Sequence, residues 1–207
     1  MKTVKFIIAV AISTFILSCD DNDPIVLEQI QSETVSNLHA PQSGGQGQPV
    51  SGAFTKFDFE TGQTTTSDTD WDIAFRGTSI IVNGGVSLGT ADEPARTGGA
   101  AIYLTTGGLA AVAEVNDASF VQDSATGYAI PSGGGNGWYA YAGPPTHLIT
   151  PIAGTVIVVK TSEGKYAKVE IVSYYKDAPA APNAFTDESR YFTFNYVYQP
   201  NAGVTTF

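Results

Sequence analysis

Residues 70–85 read Asp-Trp-Asp-Ile-Ala-Phe-Arg-Gly-Thr-Ser-Ile-Ile-Val-Asn-Gly-Gly. Bulky apolar residues alternate with polar or small ones at the start of this stretch: Trp71, Ile73 and Phe75 against Asp72, Ala74 and Arg76. A period of two predicts a core strand with the apolar set on one sheet face and the polar set on the other. We expect Gly77 to break this strand, residues 80–82 to form a second strand, and residues 83–85 to form a tight hairpin turn.

The rest of the chain also favours an all-β fold built from antiparallel sheets. It has 207 residues, with 22 Gly, 10 Tyr and 11 Phe, and it lacks long windows with apolar residues at three- and four-residue spacing. We predict one β domain over residues 53–207, with residues 112–123 forming either a short helix or a loop. Strands are expected at Phe54–Thr61, Gly98–Thr106, Thr155–Thr161, Tyr166–Tyr175 and Arg190–Tyr198.

The charge of the protein is acidic. The formal net charge is −10, which disfavours a surface that follows nucleic-acid phosphates. A soluble, acidic exterior with no nucleic-acid partner is therefore expected.

The N-terminus has the features of an export signal. Lys2 and Lys5 precede an apolar run, residues 6–17, that is too short to span a bilayer. Residues 1–18 are thus predicted to be a signal peptide. The single cysteine, Cys19, follows directly, and it cannot form an internal disulfide. Residues 19–52 are expected to be mostly tether, with a possible first strand at residues 33–38 and a loop at residues 41–52.

Two motifs invite a catalytic or metal-binding interpretation. Residues 85–89 match G-x-S-x-G, but a nucleophile elbow needs a helix after Ser87, and a proline-containing segment without helical periodicity follows. We interpret this match as accidental. Asp68, Asp70 and Asp72 alternate, but the spacing fails the EF-hand pattern, so only a looser calcium site stays open.

Two histidines remain after the predicted signal peptide. His39 lies in the expected tether, where exposure without function is the simpler interpretation. His147 ends a loop that is rich in aromatic residues and proline, residues 138–147. It is either a hydrogen-bonded loop histidine or part of a site for a flat ligand.

Several stretches resemble known bacterial lipoproteins. Residues 16–19, Ile-Leu-Ser-Cys, resemble a lipobox in which Cys19 becomes acylated; the alternative is cleavage by an ordinary signal peptidase. The acidic run at residues 20–23 resembles the export signal of Bacteroidetes surface lipoproteins. Residues 70–85, 146–175 and 191–198 together resemble the HmuY family of such lipoproteins. This resemblance implies an all-β, lipid-anchored protein on the outer-membrane surface.

The HmuY resemblance also implies a ligand. Its best-known members bind haem with paired histidine or methionine ligands and pass it to an outer-membrane receptor. Here Ala142-Gly143-Pro144 stands where the haem binder has a histidine, and no histidine or methionine lies between Val112 and Pro131. The implied iron ligand is therefore His147, alone or with Tyr139 or Tyr141. The alternative is a non-catalytic structural module that faces carbohydrate through Trp138, Tyr139 and Tyr141.

Overall fold

The structure is a computed structural model that describes residues 26–207. The predicted signal peptide, the acylation site at Cys19 and the acidic run lie outside the described residues. The described part is all-β, and its only helical segments are two single 3₁₀ turns at Leu109–Ala111 and Asp117–Ser119. All strand pairs are antiparallel, as the sequence predicts.

Within residues 26–207, thirteen strands form two larger sheets and two small hairpins. The five-stranded sheet has the order β1-β13-β12-β11-β8, the four-stranded sheet has the order β5-β4-β6-β7, and β2-β3 and β9-β10 are the hairpins. The strand bounds are β1 Gln31–His39, β2 Ser43–Gly45, β3 Gln48–Ser51, β4 Thr55–Asp58, β5 Gln63–Thr65, β6 Ile73–Arg76, β7 Ser79–Val82, β8 Ala101–Thr106, β9 Tyr139–Tyr141, β10 Ile149–Pro151, β11 Thr155–Lys160, β12 Tyr166–Tyr175 and β13 Ser189–Gln199.

Residues 73–82 form the β6–β7 hairpin, but its turn is not where the sequence pattern predicts it. Arg76 pairs with Ser79, so the two-residue turn is Gly77-Thr78, and Gly77 has a φ of 55°. The predicted turn at residues 83–85 is wrong. Instead, Asn83 is fully buried, and its side-chain oxygen accepts hydrogen bonds from the backbone N–H groups of Thr97 and Gly98.

The predicted division of this stretch into an apolar and a polar face also needs correction. Ile73 and Phe75 point into the main core, but Trp71 precedes the strand and packs with Ala74 on the opposite face. Asp72 and Arg76 are buried rather than solvated. Both sheet faces are therefore covered, which a period of two does not reveal.

The main core lies between the two larger sheets and is rich in aromatic side chains. The ring of Phe57 on β4 meets that of Phe194 on β13 edge-on at 5.5 Å, and Phe75 on β6 lies 4.8 Å from Phe192 on β13. Such pairs stabilise the packing beyond the burial of apolar area. The predicted face of β13 is confirmed, since Phe192, Phe194, Tyr196 and Tyr198 are all buried.

The outer face of the five-stranded sheet is covered as well. Val156, Val158 and Tyr166 pack there against the segment that holds the two 3₁₀ turns. Lys168, expected on a wet face, is 6 % exposed, and its ammonium donates hydrogen bonds to the carbonyls of Leu109 and Val112. The face of β12 that carries Lys168 is therefore covered at Lys168, while Val172 on the same face is exposed.

The folded body begins earlier than residue 53. Strand β1 pairs with β13 along most of its length, and Leu38 contributes to the main core. The expected loop at residues 41–52 contains the β2–β3 hairpin. The possible first strand at residues 33–38 is confirmed as β1, and residues 41–52 hold a short hairpin in place of the expected loop.

Candidate functional site

The candidate site is built on the β9–β10 hairpin, which is rooted in the core. The ring of Trp138 lies 5.0 Å from that of Phe192, and its indole N–H donates a 2.9 Å hydrogen bond to the carbonyl of Thr78. At the other strand, the N–H of Ile149 donates to the hydroxyl of Tyr175. The hairpin therefore holds its loop, residues 142–148, in a fixed position over the sheet.

His147 is exposed at the end of this loop. Its N–H donates to the carbonyl of Gly143 at 2.8 Å, and its backbone adopts a left-handed conformation with a φ of 51°. The imidazole Nδ1 and the hydroxyl of Tyr141 form a 2.5 Å hydrogen bond. Within the described residues this is the ring's single hydrogen bond, so Nε2 remains free to meet a ligand.

An apolar cleft borders His147. It has a volume of about 350 Å³ and lies between the β9–β10 loop and residues 181–185. The ring of Phe185, which is 71 % exposed, faces that of His147 edge-on at 6.0 Å. The cleft is lined by Pro145, Thr146, Leu148, Ala181, Pro182, Asn183, Ala184 and Phe185.

A compact turn presents Phe185 to the cleft. The side-chain oxygen of Asn183 accepts a hydrogen bond from the N–H of Phe185, and the carboxylate of Asp187 accepts one from the N–H of Asn183. Since these bonds lie within one short segment, the turn holds Phe185 outward without help from the core. An exposed aromatic ring held in this way is suited to contact a ligand.

The structure separates the predicted site residues into two groups. Tyr141 and His147 come together through their hydrogen bond beside the cleft, although neither lines it, and Tyr141 is 49 % exposed. Tyr139 is only 8 % exposed and packs on Trp138 with 4.9 Å between ring centres. Because Tyr139 belongs to the core cluster, it is poorly placed to bind iron. The predicted carbohydrate-binding surface of Trp138, Tyr139 and Tyr141 is wrong, because Trp138 and Tyr139 are buried.

The other candidate residues stay apart from this cleft. His39 lies on β1 and stacks on Tyr191 with 4.5 Å between ring centres. Asp68 pairs with Lys56, whereas Asp72 is buried and accepts backbone hydrogen bonds. Over residues 26–207, no group of three His, Cys, Asp or Glu side chains is placed to hold a metal ion.

The G-x-S-x-G match has no nucleophile elbow around it. Ser87 lies in an irregular segment, and no helix follows it among the described residues. Its hydroxyl oxygen accepts a hydrogen bond from the N–H of Gly89. The prediction that this match is accidental agrees with the local geometry.

Sequence reasoning missed Phe185 and the wall of the cleft around it. The sequence indicates only a connection over residues 176–188, and the contact with His147 spans a large separation along the chain. One feature of the sequence could have indicated it: Phe185 is an isolated aromatic residue among alanine, proline and asparagine. Such a segment has no apolar core of its own, so the aromatic ring is expected to be exposed.

The described residues form an all-β protein with an apolar cleft beside the β9–β10 loop, and comparison with known proteins identifies its family. A model of the HmuY protein family matches residues 52–196. The chain belongs to the HmuY family. No curated protein matches the chain.

Solved structures show similar folds at low sequence identity. The apo HmuY analogue of Tannerella forsythia is 15 % identical, with a TM-score of 0.49, and the match covers 84 % of this chain and 99 % of that one. A candidate lipoprotein of Bacteroides fragilis is 17 % identical (TM-score 0.48; coverage 83 % and 90 %). A candidate HmuY-like haem-binding protein of Bacteroides vulgatus is 16 % identical (TM-score 0.47; coverage 83 % and 93 %).

Within residues 26–207, no helix has the length and apolar character needed to cross a bilayer.

Proposed function

We propose that this protein is a surface lipoprotein that binds haem or a related tetrapyrrole and delivers it to an outer-membrane uptake system. The observation that carries the proposal is an exposed His147 with a free Nε2, whose ring contacts Phe185 in the wall of an apolar cleft, in a chain of the HmuY family. The proposal involves no catalysis.

The residues around the cleft fit such a ligand. Bound haem would supply an iron with axial positions open to a protein ligand. When Nδ1 of His147 carries the proton and donates a hydrogen bond to the hydroxyl of Tyr141, Nε2 keeps a lone pair that an iron could accept. Leu148, Pro182 and Phe185 supply apolar walls that exclude water from one side of a flat ring system.

A haem titration followed at the Soret band tests this assignment. We expect a shifted Soret band with the wild-type protein and a loss of affinity of about tenfold or more in His147→Ala. Tyr141→Phe keeps the ring but loses the hydrogen bond to Nδ1, so we expect a smaller loss of affinity.

His39→Ala is the matched control, since His39 is the other histidine among the described residues and stacks on Tyr191 outside the cleft. It should bind haem like the wild type. The proposal is wrong if the wild-type spectrum does not change on adding haem, or if His147→Ala and His39→Ala behave alike.

Surface attachment is proposed through the acylated Cys19. In a cell that processes lipoproteins, the wild type should partition with the outer membrane and be accessible to added protease, whereas Cys19→Ser should appear in the soluble fraction. Equal partitioning of the two proteins would contradict the anchor.

A further inference from the structure

The segments that bound the cleft carry an unusual charge balance for a site that receives an anion. Residues 139–151 contain no Lys, Arg, Asp or Glu. Residues 176–188 contain a single cation, Lys176, against three carboxylates, those of Asp177, Asp187 and Glu188. The eight lining residues are all uncharged.

The single cation is already engaged. The ammonium of Lys176 lies 2.8 Å from the carboxylate of Glu188 and 5.4 Å from the centre of the Tyr191 ring. The hydrogen bond that Lys176 donates to Glu188 raises the pKa of Lys176 and lowers the pKa of Glu188. The next cation along the chain, Arg190, donates to the carbonyl of Gln42.

Haem carries two carboxylate arms on one edge and apolar groups on the rest of its rim. A carboxylate moved from water into an uncharged cleft without a cationic partner is strongly disfavoured. The cleft volume of about 350 Å³ is also near the lower end of the range for small-molecule sites, about 300–1,000 Å³. It can therefore enclose an edge of a macrocycle but not the whole of it.

Resting on the proposed function, we infer that the cleft grips the apolar edge of the tetrapyrrole and leaves both carboxylate arms in water. The carboxylates then contribute nothing favourable to affinity, and the acidic segment at residues 176–188 repels them weakly. The protein therefore distinguishes tetrapyrroles by their apolar rim and by their metal. The exposed carboxylates remain available to the uptake system that receives the ligand.

The test compares iron protoporphyrin IX with its dimethyl ester in Soret titrations of the purified protein. We expect the ester to bind as tightly as the free acid or more tightly. If a cation held one of the arms, esterification would weaken binding by about tenfold or more, which is about 1.4 kcal/mol.

Salt dependence gives a second and independent measurement. Raising the ionic strength to about 0.15 M shortens the screening length to about 8 Å, which weakens repulsion between the acidic segment and an anionic ligand. The free acid should therefore bind equally or more tightly at high salt. A cation–carboxylate contact would instead weaken with salt.

Lys176→Met provides the matched variant. Its affinities for the free acid and for the ester should both be close to those of the wild type, because Lys176 is not assigned a contact with the ligand. The inference is overturned if the ester binds more weakly than the free acid, if salt weakens binding of the free acid, or if Lys176→Met loses affinity for the free acid alone by about tenfold or more. Each of these results would leave haem binding itself intact, whereas absence of any Soret change with either ligand would remove the proposed function.

Discussion

The carboxylate of Asp72 is fully buried where the two larger sheets meet. One of its oxygens accepts a 2.9 Å hydrogen bond from the N–H of Phe59, and the other accepts a 2.7 Å bond from the N–H of Ser162. Phe59 follows a strand of the four-stranded sheet, and Ser162 lies in the turn between β11 and β12. A single side chain thus ties the two sheets together.

This environment gives Asp72 a testable pH dependence. Burial raises its pKa from 3.8 to about 7, although the two N–H donors lower it. Because the folded state then binds a proton more tightly than the unfolded state, the contribution of this group to stability is greatest below pH 3.8 and is lost as the pH rises through 7.

Denaturant unfolding of the wild type and Asp72→Asn at several pH values between 5 and 8 measures this effect. The free energy of unfolding of the wild type, minus that of the variant, should fall as the pH rises, by up to about 1.4 kcal/mol per pH unit. A difference that is constant with pH would show that the two N–H donors keep Asp72 ionised.

A second buried charge group holds the irregular segment between β7 and β8. The guanidinium of Arg96 lies 2.6 Å from Glu93 and 2.8 Å from Asp123, and these side chains are at most 2 % exposed. Removing the cation leaves two carboxylates buried without their partner. We therefore expect Arg96→Met to lower the free energy of unfolding by about 3–5 kcal/mol.

Lys176→Met is the control for Arg96→Met, since it breaks an ion pair that solvent reaches, with side chains 41 % and 61 % exposed. Its midpoint in chemical denaturation should stay close to that of the wild type. If both variants lost stability equally, burial would not be the source of the effect.

At the scale of elements, β7 and the segment before β8 approach each other closely. The N–H of Ala100 donates to the carbonyl of Asn83, and a Cβ added to Gly84 would overlap the carbonyl oxygen of Ala100. A Cβ added to Gly99 would meet no atom within 4 Å. Neither glycine has a positive φ, so the two positions differ in available space.

This pair of glycines gives a matched comparison. Gly84→Ala should lower the free energy of unfolding by about 1–3 kcal/mol, because the backbone of Ala100 must move. Gly99→Ala should be neutral or stabilising by up to about 1 kcal/mol, because it restricts the unfolded chain. Thermal unfolding of the two variants measures both effects. Equal destabilisation would mean that the close approach of the two backbones is not the reason why residue 84 is a glycine.

Local patterns were sufficient for strands that carry their own apolar face. β11, β12 and β13 were predicted nearly to their ends, because runs of six or more residues rich in β-branched and aromatic side chains and bounded by turn residues mark strands. The β6–β7 turn was misplaced because Asn83-Gly84-Gly85 has turn composition but serves a packing contact. The β2–β3 hairpin was missed because its three- and four-residue strands show no alternation to detect.

Only the part of the candidate site that lies within one loop could be predicted from the sequence. The sequence brings Tyr141 and His147 into one loop, and the hydrogen bond between them follows from the hairpin. It does not reveal that the core ends between Tyr139 and Tyr141, which lie two residues apart on the same side of β9. Nor does it reveal Phe185, because that contact depends on how two distant loops meet above the sheet.

At the scale of the whole molecule, the first strand completes the five-stranded sheet. β1 covers the edge of β13, and Leu38 and Ala40 are buried in the main core. Residues 26–30 are exposed, and their contact with the body includes two hydrogen bonds between Glu28 and Asn201. The structural boundary of the domain therefore lies at Gln31, although the family match begins at residue 52.

Two truncated chains distinguish these boundaries. A chain that begins at Gln31 should unfold within about 1 kcal/mol of the wild type, since it loses only exposed contacts. A chain that begins at Ala53 should fail to unfold cooperatively and should aggregate, because the edge of β13 and part of the aromatic core become exposed together. Circular dichroism melts and size-exclusion chromatography report both outcomes. A monomeric, cooperatively folded chain that begins at Ala53 would mean that β1 is an accessory to the domain and that the sequence placed its start correctly.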